Sequence, residues 1–212
     1  ADLVKRLTLY KLRAKVDISE IEQRTIAVSW QSDSASSEKD STLTDCRFPA
    51  DLNVRRHYGE TPEADSTRER WDELRISHAV AESGNDFALG DAFPHDVLYD
   101  QNGGIGLKKG CFVGQEVVSR THRRGKIRKR TYVLHAENIT PAQEVTAGNA
   151  VGEVTSASAT HALARLRTDR LARALEDGET LSAAGKPAEL ETPDWLSDEM
   201  AASLTDGNES LA

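Results

Sequence analysis

The chain has 212 residues, of which 38% are hydrophobic and 29% charged, and its net charge is −8. That length suits one large domain or two small ones. No apolar run approaches the roughly 18–20 residues needed to cross a bilayer, and the opening Ala1-Asp2-Leu3-Val4-Lys5-Arg6 has no secretory pattern, so a cytoplasmic protein without membrane contact is expected. The chain begins without Met and directly on a helical pattern, from which a further N-terminal portion is expected.

Leu3, Leu7, Tyr10 and Ala14 fall at helical spacing with Lys5, Lys11 and Lys15 between them, which predicts an amphipathic helix to about residue 15. Val16 and Ile18 switch to period two and predict a strand, with residues 24–30 as its hairpin partner. Residues 31–44 are rich in Ser, Asp, Glu and Lys and read as a surface loop. Thr67 can cap a helix that buries Trp71, Leu74 and His78 and runs to Ala81, before Ser83-Gly84. Phe93-Pro94 breaks regular structure, and Asn102-Gly103-Gly104 signals a turn.

Beyond Lys129 the sequence turns to short strands at 131–135, 151–156, 162–167 and 180–184, separated by Gly148, Gly152 and Gly185, the pattern of a small β-barrel. Residues 169–177 read as a helical insertion stopped by Gly178, although 161–175 could equally be one continuous helix. The tail after Leu196 is acidic and rich in small residues, and poor order is expected there.

Lys109-Gly110-Cys111-Phe112-Val113-Gly114-Gln115-Glu116 is unlike ordinary helix or strand sequence. Gly110 and Gly114 let a backbone approach a ligand closely. Lys108, Lys109 and a helix start just after the cysteine would each favour thiolate, the nucleophilic and metal-ligating form. The residues alone leave two readings open: a reactive Cys111, or a small buried cysteine in a tight turn. Gln115 and Glu116 either cap the helix or support the cysteine loop, and loop support is preferred. Cys46 and Cys111 lie far apart with no CxxC, so thiols of this chain cannot complete a zinc knuckle or an iron–sulfur ligand set.

The octapeptide closely resembles the K-G-C-[FY]-x-G-Q-E signature of the YgfZ family, which includes mitochondrial iron–sulfur assembly proteins related to the glycine-cleavage T-protein. Residues 5–13, 74–76, 89–94, 103–105, 117–120, 125–130 and 152–157 are also similar to that family. The resemblance therefore covers most of the chain, interrupted at 31–44.

It implies an α+β fold: a T-protein-like folate-binding core with mixed sheets and flanking helices at 1–126, a C-terminal β-barrel at 127–195, and an acidic tail at 196–212. It further implies a tetrahydrofolate-binding accessory factor in iron–sulfur cluster assembly or repair that acts through Cys111. Arg75, Lys109, Gly110, Gly114, Gln115 and Glu116 would contact the cofactor, and an iron–sulfur cluster would be held at most transiently. The alternative is a tetrahydrofolate-dependent one-carbon transferase of the aminomethyltransferase or demethylase kind. Against it, the T-protein stretch that supplies a carboxylate to the pterin matches Leu74-Arg75-Ile76-Ser77, where the acid is absent. Implied partners are folate and iron–sulfur enzymes or assembly proteins, with a link to tRNA modification only through the cluster enzymes that perform it, and the chain is expected to be monomeric.

Residues 108–130 hold nine of the 27 basic residues and one of the 35 acidic ones, so this stretch carries +8 and the remainder −16. Arg120, Arg123, Arg124, Lys126, Arg128, Lys129 and Arg130 could meet phosphates or a folate polyglutamate tail, or could form a solvated face. Direct nucleic-acid binding is not expected, because no aromatic residues interleave with these cations. The six histidines show no ligand spacing, and no metal site is assigned to them.

Overall fold

A computed structural model describes residues 2–20, 25–31, 42–59, 63–106, 108–110, 114–124 and 127–193. The chain divides into two compact units, residues 1–45 with 49–63, and residues 46–48 with 64–212. The boundary read from the sequence at 126/127 falls within the second unit.

In the first unit, helix α1 (Asp2–Tyr10) carries an i,i+4 ion pair between Arg6 and Asp2 at 3.3 Å. It ends short of the expected residue 15, because Leu12 takes a left-handed φ of 48° that a right-handed helix cannot continue through. Strands β1 (Ile26–Ser29), β2 (Thr42–Thr44) and β3 (Arg55–Tyr58) form an antiparallel sheet in the order β1-β3-β2. Among the described residues 16–20 the strand expected from Val16 is not formed, and β1 pairs with β3, with Ala27 opposite His57.

The buried His57 ring shows why. Its Nε2 lies 2.9 Å from Ser29 Oγ and its Nδ1 3.2 Å from Thr42 Oγ1, so the central strand is tied to both neighbours. Strand β2 arises at the end of what composition read as a loop. Three residues are too few for an alternation to register.

The second unit is built on a seven-stranded antiparallel sheet. Its strands are β4 (Lys129–His135), β5 (Glu144–Ala147), β6 (Asn149–Ala157), β7 (His161–Arg167), β8 (Leu181–Ala183), β9 (Lys186–Pro187) and β10 (Glu189–Leu190). Their order is β10-β4-β7-β6-β5-β8-β9. Strands β9 and β10 stand at opposite ends of that order yet are joined through the single residue Ala188, and this connection draws the sheet round into a nearly closed barrel. Closure removes the unpaired edges that would otherwise recruit other strands. Leu134, Val145, Val154, Leu166 and Leu181 fill the interior, and each fully buried aliphatic side chain contributes about 1.5–3 kcal/mol.

Helix α2 (Arg68–Ser77) is capped by Thr67, whose Oγ1 accepts from Arg70 N at 3.4 Å. It stops at Ser77 rather than Ala81 because Ala79 turns left-handed at φ 57°. Its Ile76 packs with Val133 and Leu163 in a second cluster outside the barrel core. Strands β4 and β7 are consequently covered on both faces.

That double burial resolves the ambiguity at 161–175. A strand buried on both sides loses its alternation and imitates a helix in sequence, and here β7 runs directly into helix α4 (Thr168–Glu176), with Tyr132 Oη donating to Thr168 Oγ1 at 2.9 Å. Gly178, at φ 77°, follows α4 as expected.

Candidate functional site

Helix α3 (Gln115–Arg124) begins where the motif predicts. Gly114 has φ 85°, a conformation that suits glycine, and its carbonyl accepts from Val118 N at 3.4 Å to open the helix. Glu116 is exposed in the first turn, where the helix dipole favours a negative charge. Lys108, Lys109 and Gly110 are exposed, and a methyl group placed on Gly110 would meet nothing within 4 Å. Cys111, with Phe112 and Val113, lies outside the described residues. The described flanks, Lys109-Gly110 and Gly114-Gln115-Glu116, stand on either side of it.

Beneath α3 lies a turn-rich segment fastened to β4. Arg130, only 1% exposed, donates to Asp100 through both terminal nitrogens, Nη1 to Oδ1 at 2.8 Å and Nη2 to Oδ2 at 2.7 Å. Its Nη1 also donates to the His95 carbonyl at 2.9 Å. The Asp96 carbonyl accepts from Thr131 N at 2.8 Å and Thr131 Oγ1 at 3.0 Å. Burial would raise the Asp100 carboxyl, but the Arg130 hydrogen bonds and charge outweigh it and hold the group below the usual carboxylate range. Arg130 therefore leaves the basic run in which the sequence placed it and acts as a buried clamp.

His95 stacks on His122 of α3, with ring centroids 6.2 Å apart and planes 27° from parallel, and its buried Nε2 has no hydrogen-bond partner among the described residues. Desolvation pushes the His95 imidazole below its ordinary range, aided by Arg130 and His122 and opposed by Asp100 and Asp96. His161, tilted against His135 at 4.5 Å, is likewise lowered, first by burial and then by His135.

Both depressed histidines are held neutral in the folded chain, while the unfolded chain takes up protons from about pH 6.5 downward. Stability should therefore be full above that pH and decline as mild acid approaches the folded values. Urea midpoints measured from neutrality into mild acid should fall, and His95→Phe should flatten the slope.

Arg75 is 2% exposed, and its guanidinium is engaged inside the unit. Nη1 meets Asp86 Oδ2 at 2.7 Å, Nη2 donates to Ser156 Oγ at 3.0 Å, and Nε meets Asp72 Oδ1 at 2.5 Å. Asp86 Oδ2 also accepts from Glu82 N at 2.8 Å, and its Oδ1 from Thr155 Oγ1 at 2.9 Å. Consecutive residues of a regular strand point to opposite faces. A bulge in the β6–β7 pairing between Val154 and Ser156 lets both Thr155 and Ser156 reach this one cluster.

An open cleft of about 440 Å³ borders the cluster. For tetrahydrofolate the fit is partial: of its expected contacts Arg75 lines this cleft, with Nε, Nη1 and Nη2 each donating within the cluster, whereas Lys109 and Glu116, exposed and chemically suited to a ligand's carboxylate and amino groups, are not among its lining residues. Ser77 supplies no carboxylate, and its Oγ donates to the Leu74 carbonyl at 3.1 Å. His78 donates Nδ1 to the same carbonyl at 2.8 Å and lies 6.0 Å from the Phe48 ring, a packing role in line with expectation.

The sequence reading missed Asp86, Asp100 and His95. Each is a single polar residue in a turn, and only the partner it meets distinguishes it from any solvated side chain.

Residues 128–198 match the family model described as CAF17, C-terminal beta-barrel domain. The expected barrel is thereby established. A protein of Coccidioides immitis (strain RS) named iron-sulfur cluster assembly factor IBA57 homolog, mitochondrial, is 29% identical over 155 residues, covering 65% of this chain and 36% of that protein. The IBA57 homolog of Aspergillus oryzae is 30% identical over 161 residues, covering 61% and 36%, and that of Mycosarcoma maydis 42% over 60 residues, covering 28% and 15%. The chain spans about a third of the length of the curated relatives it matches over the longer stretch.

These relatives are iron–sulfur assembly factors, in agreement with the resemblance read from the motif, although the name they carry is IBA57 and not YgfZ. Their names also overturn the cytoplasmic expectation, since all three are designated mitochondrial. Composition carries no signal that separates the cytoplasm from the mitochondrion.

Proposed function

We propose that this chain serves iron–sulfur cluster assembly or repair, with Cys111 as the chemical contact and tetrahydrofolate as the bound cofactor. The supporting observation is the motif Lys109-Gly110-Cys111-Phe112-Val113-Gly114-Gln115-Glu116, set at the start of α3 in a chain whose barrel and relatives are of the CAF17 and IBA57 kind. Lys108, Lys109 and the helix start favour the thiolate that would touch a cluster or a sulfur species. Folate contacts are assigned to Lys109, Gly110, Gly114, Gln115 and Glu116, with Arg75 holding the framework. Partners are iron–sulfur enzymes or assembly proteins, and no turnover is assigned.

Cys111→Ala should abolish the chain's support of cluster-dependent enzymes in cells lacking their own factor of this type, while the thermal midpoint changes little. Full support by the alanine variant would remove Cys111 from the function. Gly110→Ala offers a finer test: its added methyl is unopposed, so a folded protein with weakened tetrahydrofolate binding in calorimetry is expected. The transferase alternative makes a different forecast, catalytic formation of methylenetetrahydrofolate from tetrahydrofolate and methylated amines. Ser77 in place of the pterin-binding acid argues against it.

A further inference from the structure

Strand register places three donor side chains in one row across the outer face of the barrel. His161 of β7 stands directly opposite His135 of β4, and His135 stands directly opposite Glu189 of β10. Residues opposite one another on antiparallel strands project from the same face. The neighbouring Leu134 and Ala162 are fully buried in the barrel core, so this row faces outward. The two histidines lie on different strands, too far apart in sequence for any ligand motif to register.

The ring centroids are 4.5 Å apart and the planes inclined at 55°. Two imidazoles on one zinc ion, with Zn–N bonds of about 2.0–2.1 Å at angles of about 90–110°, have centroids roughly 4.5–5.2 Å apart, and the observed spacing lies at the near end of that range. No hydrogen bond joins the rings, and the polar partner found among the described residues is Thr160, whose Oγ1 lies 2.8 Å from His161 Nδ1. When that hydroxyl accepts from Nδ1–H, Nε2 keeps its lone pair, which is the outer hydrogen bond usual for a metal-bound histidine. Burial and then His135 hold His161 neutral, the form that ligates, while Glu191 and Glu73 oppose that shift and His78 adds to it. The same two carboxylates lend the site the negative charge a cation favours. Among the described residues no group of three or more His, Cys, Asp or Glu side chains stands together as a ligand set. The pair therefore supplies two donors and leaves the other positions open, with exposed Glu189 in register to turn in as a third.

We propose that His135 and His161 bind one divalent transition-metal ion on the outer face of the barrel, held exchangeably, with positions open to water or to another protein's side chain. Two imidazoles favour borderline ions such as Zn²⁺, Ni²⁺ and Cu²⁺ over Mg²⁺ and Ca²⁺, which take oxygen donors. A structural zinc ion takes four protein ligands, so a two-donor site suits an ion that comes and goes. The site stands on the β4–β7 register and does not depend on the function proposed above.

The test is titration of the full chain with Zn²⁺ against a chromophoric chelator at neutral pH, with Mg²⁺ in excess. One ion per chain is expected at this site. Thr160→Val, which removes only the outer hydrogen bond, should lower the affinity about tenfold, and His135→Gln or His161→Gln further still. Cys111→Ala and His122→Gln should leave it unchanged. Binding should weaken as pH falls below about 6.5 and protons compete for the rings. Nitrogen-15 NMR gives a second readout, in which the imidazole signals of His135 and His161 should move with added Zn²⁺ while those of His57 stay in place. Zn²⁺ binding by the parent no tighter than that of the double variant His135→Gln with His161→Gln, in proteins of unchanged circular dichroism, would overturn the site. Loss of the ion with Cys111→Ala would overturn it too, by assigning the ion to the cysteine motif. Neither result touches the support of cluster-dependent enzymes by which Cys111 is tested, so the two proposals fail separately.

Discussion

Gly152→Ala is expected to be among the most destabilising single substitutions in this chain. A Cβ at that position would stand 2.2 Å from the Arg165 carbonyl oxygen, 2.8 Å from Leu166 Cδ2 and 2.9 Å from Leu166 Cα. Two of these three are backbone atoms of the paired strand β7, so no rotamer change relieves them. The β6–β7 pairing, in which Gly152 lies opposite Leu166, would have to separate locally in the middle of the barrel. Overpacking a core costs about 1–3 kcal/mol where side chains can adjust. Here a loss of about 4 kcal/mol or more is expected, a large part of the 5–15 kcal/mol typical of a domain. Gly110→Ala is the internal control, and its urea midpoint should match the parent. A Gly152→Ala midpoint within a few tenths molar of the parent would mean that β6 and β7 do not approach as described.

Much of the barrel was legible in the sequence because strands and turns alternate there and glycines punctuate them. The three described barrel strands that escaped notice, β5, β9 and β10, are four residues long or shorter. Periodicity needs more residues than that to declare itself. The first unit was read less well, since β1 has its partners 26–32 residues further on in β3, whereas local pattern favoured the nearer Val16. Sequence adjacency predicts hairpins, but His57, hydrogen-bonded on both flanks, selects the pairing that forms. The motif and the start of α3 were readable from eight residues. The settings of Arg75 and Arg130 were not, because burial depends on what lies opposite, and Asp86 and Asp100 are distant in sequence or unremarkable in composition.

The Arg75 cluster leads to the second large effect. Asp86→Ala removes the carboxylate that meets Arg75 at 2.7 Å and also accepts from Glu82 N and Thr155 Oγ1. The guanidinium would remain buried against Ser156, with Asp72 its nearest remaining charge partner. Breaking a buried pair from one side costs about 3–5 kcal/mol, whereas replacing both members by apolar groups is often close to neutral. Arg75→Met combined with Asp86→Leu should therefore be more stable than Asp86→Ala alone, which chemical denaturation of the two proteins would decide. A double variant as unstable as the single one would show that the hydrogen bonds to the β6 bulge, and not the uncompensated charge, hold α2 in place. Acid should act on the same cluster. Burial opposes ionisation of Asp72 and Glu82, but hydrogen bonds from Arg68 and Arg75 to the first, and from Trp71 together with the two arginine charges to the second, hold both below their ordinary range. Their stabilisation is fully present above about pH 4.5 and is lost as pH falls through the lowered folded values. Replacing Asp72 by Asn should therefore reduce the stability at neutral pH and flatten its decline below about pH 4.5, leaving the decline from His95 and His161 in milder acid unchanged.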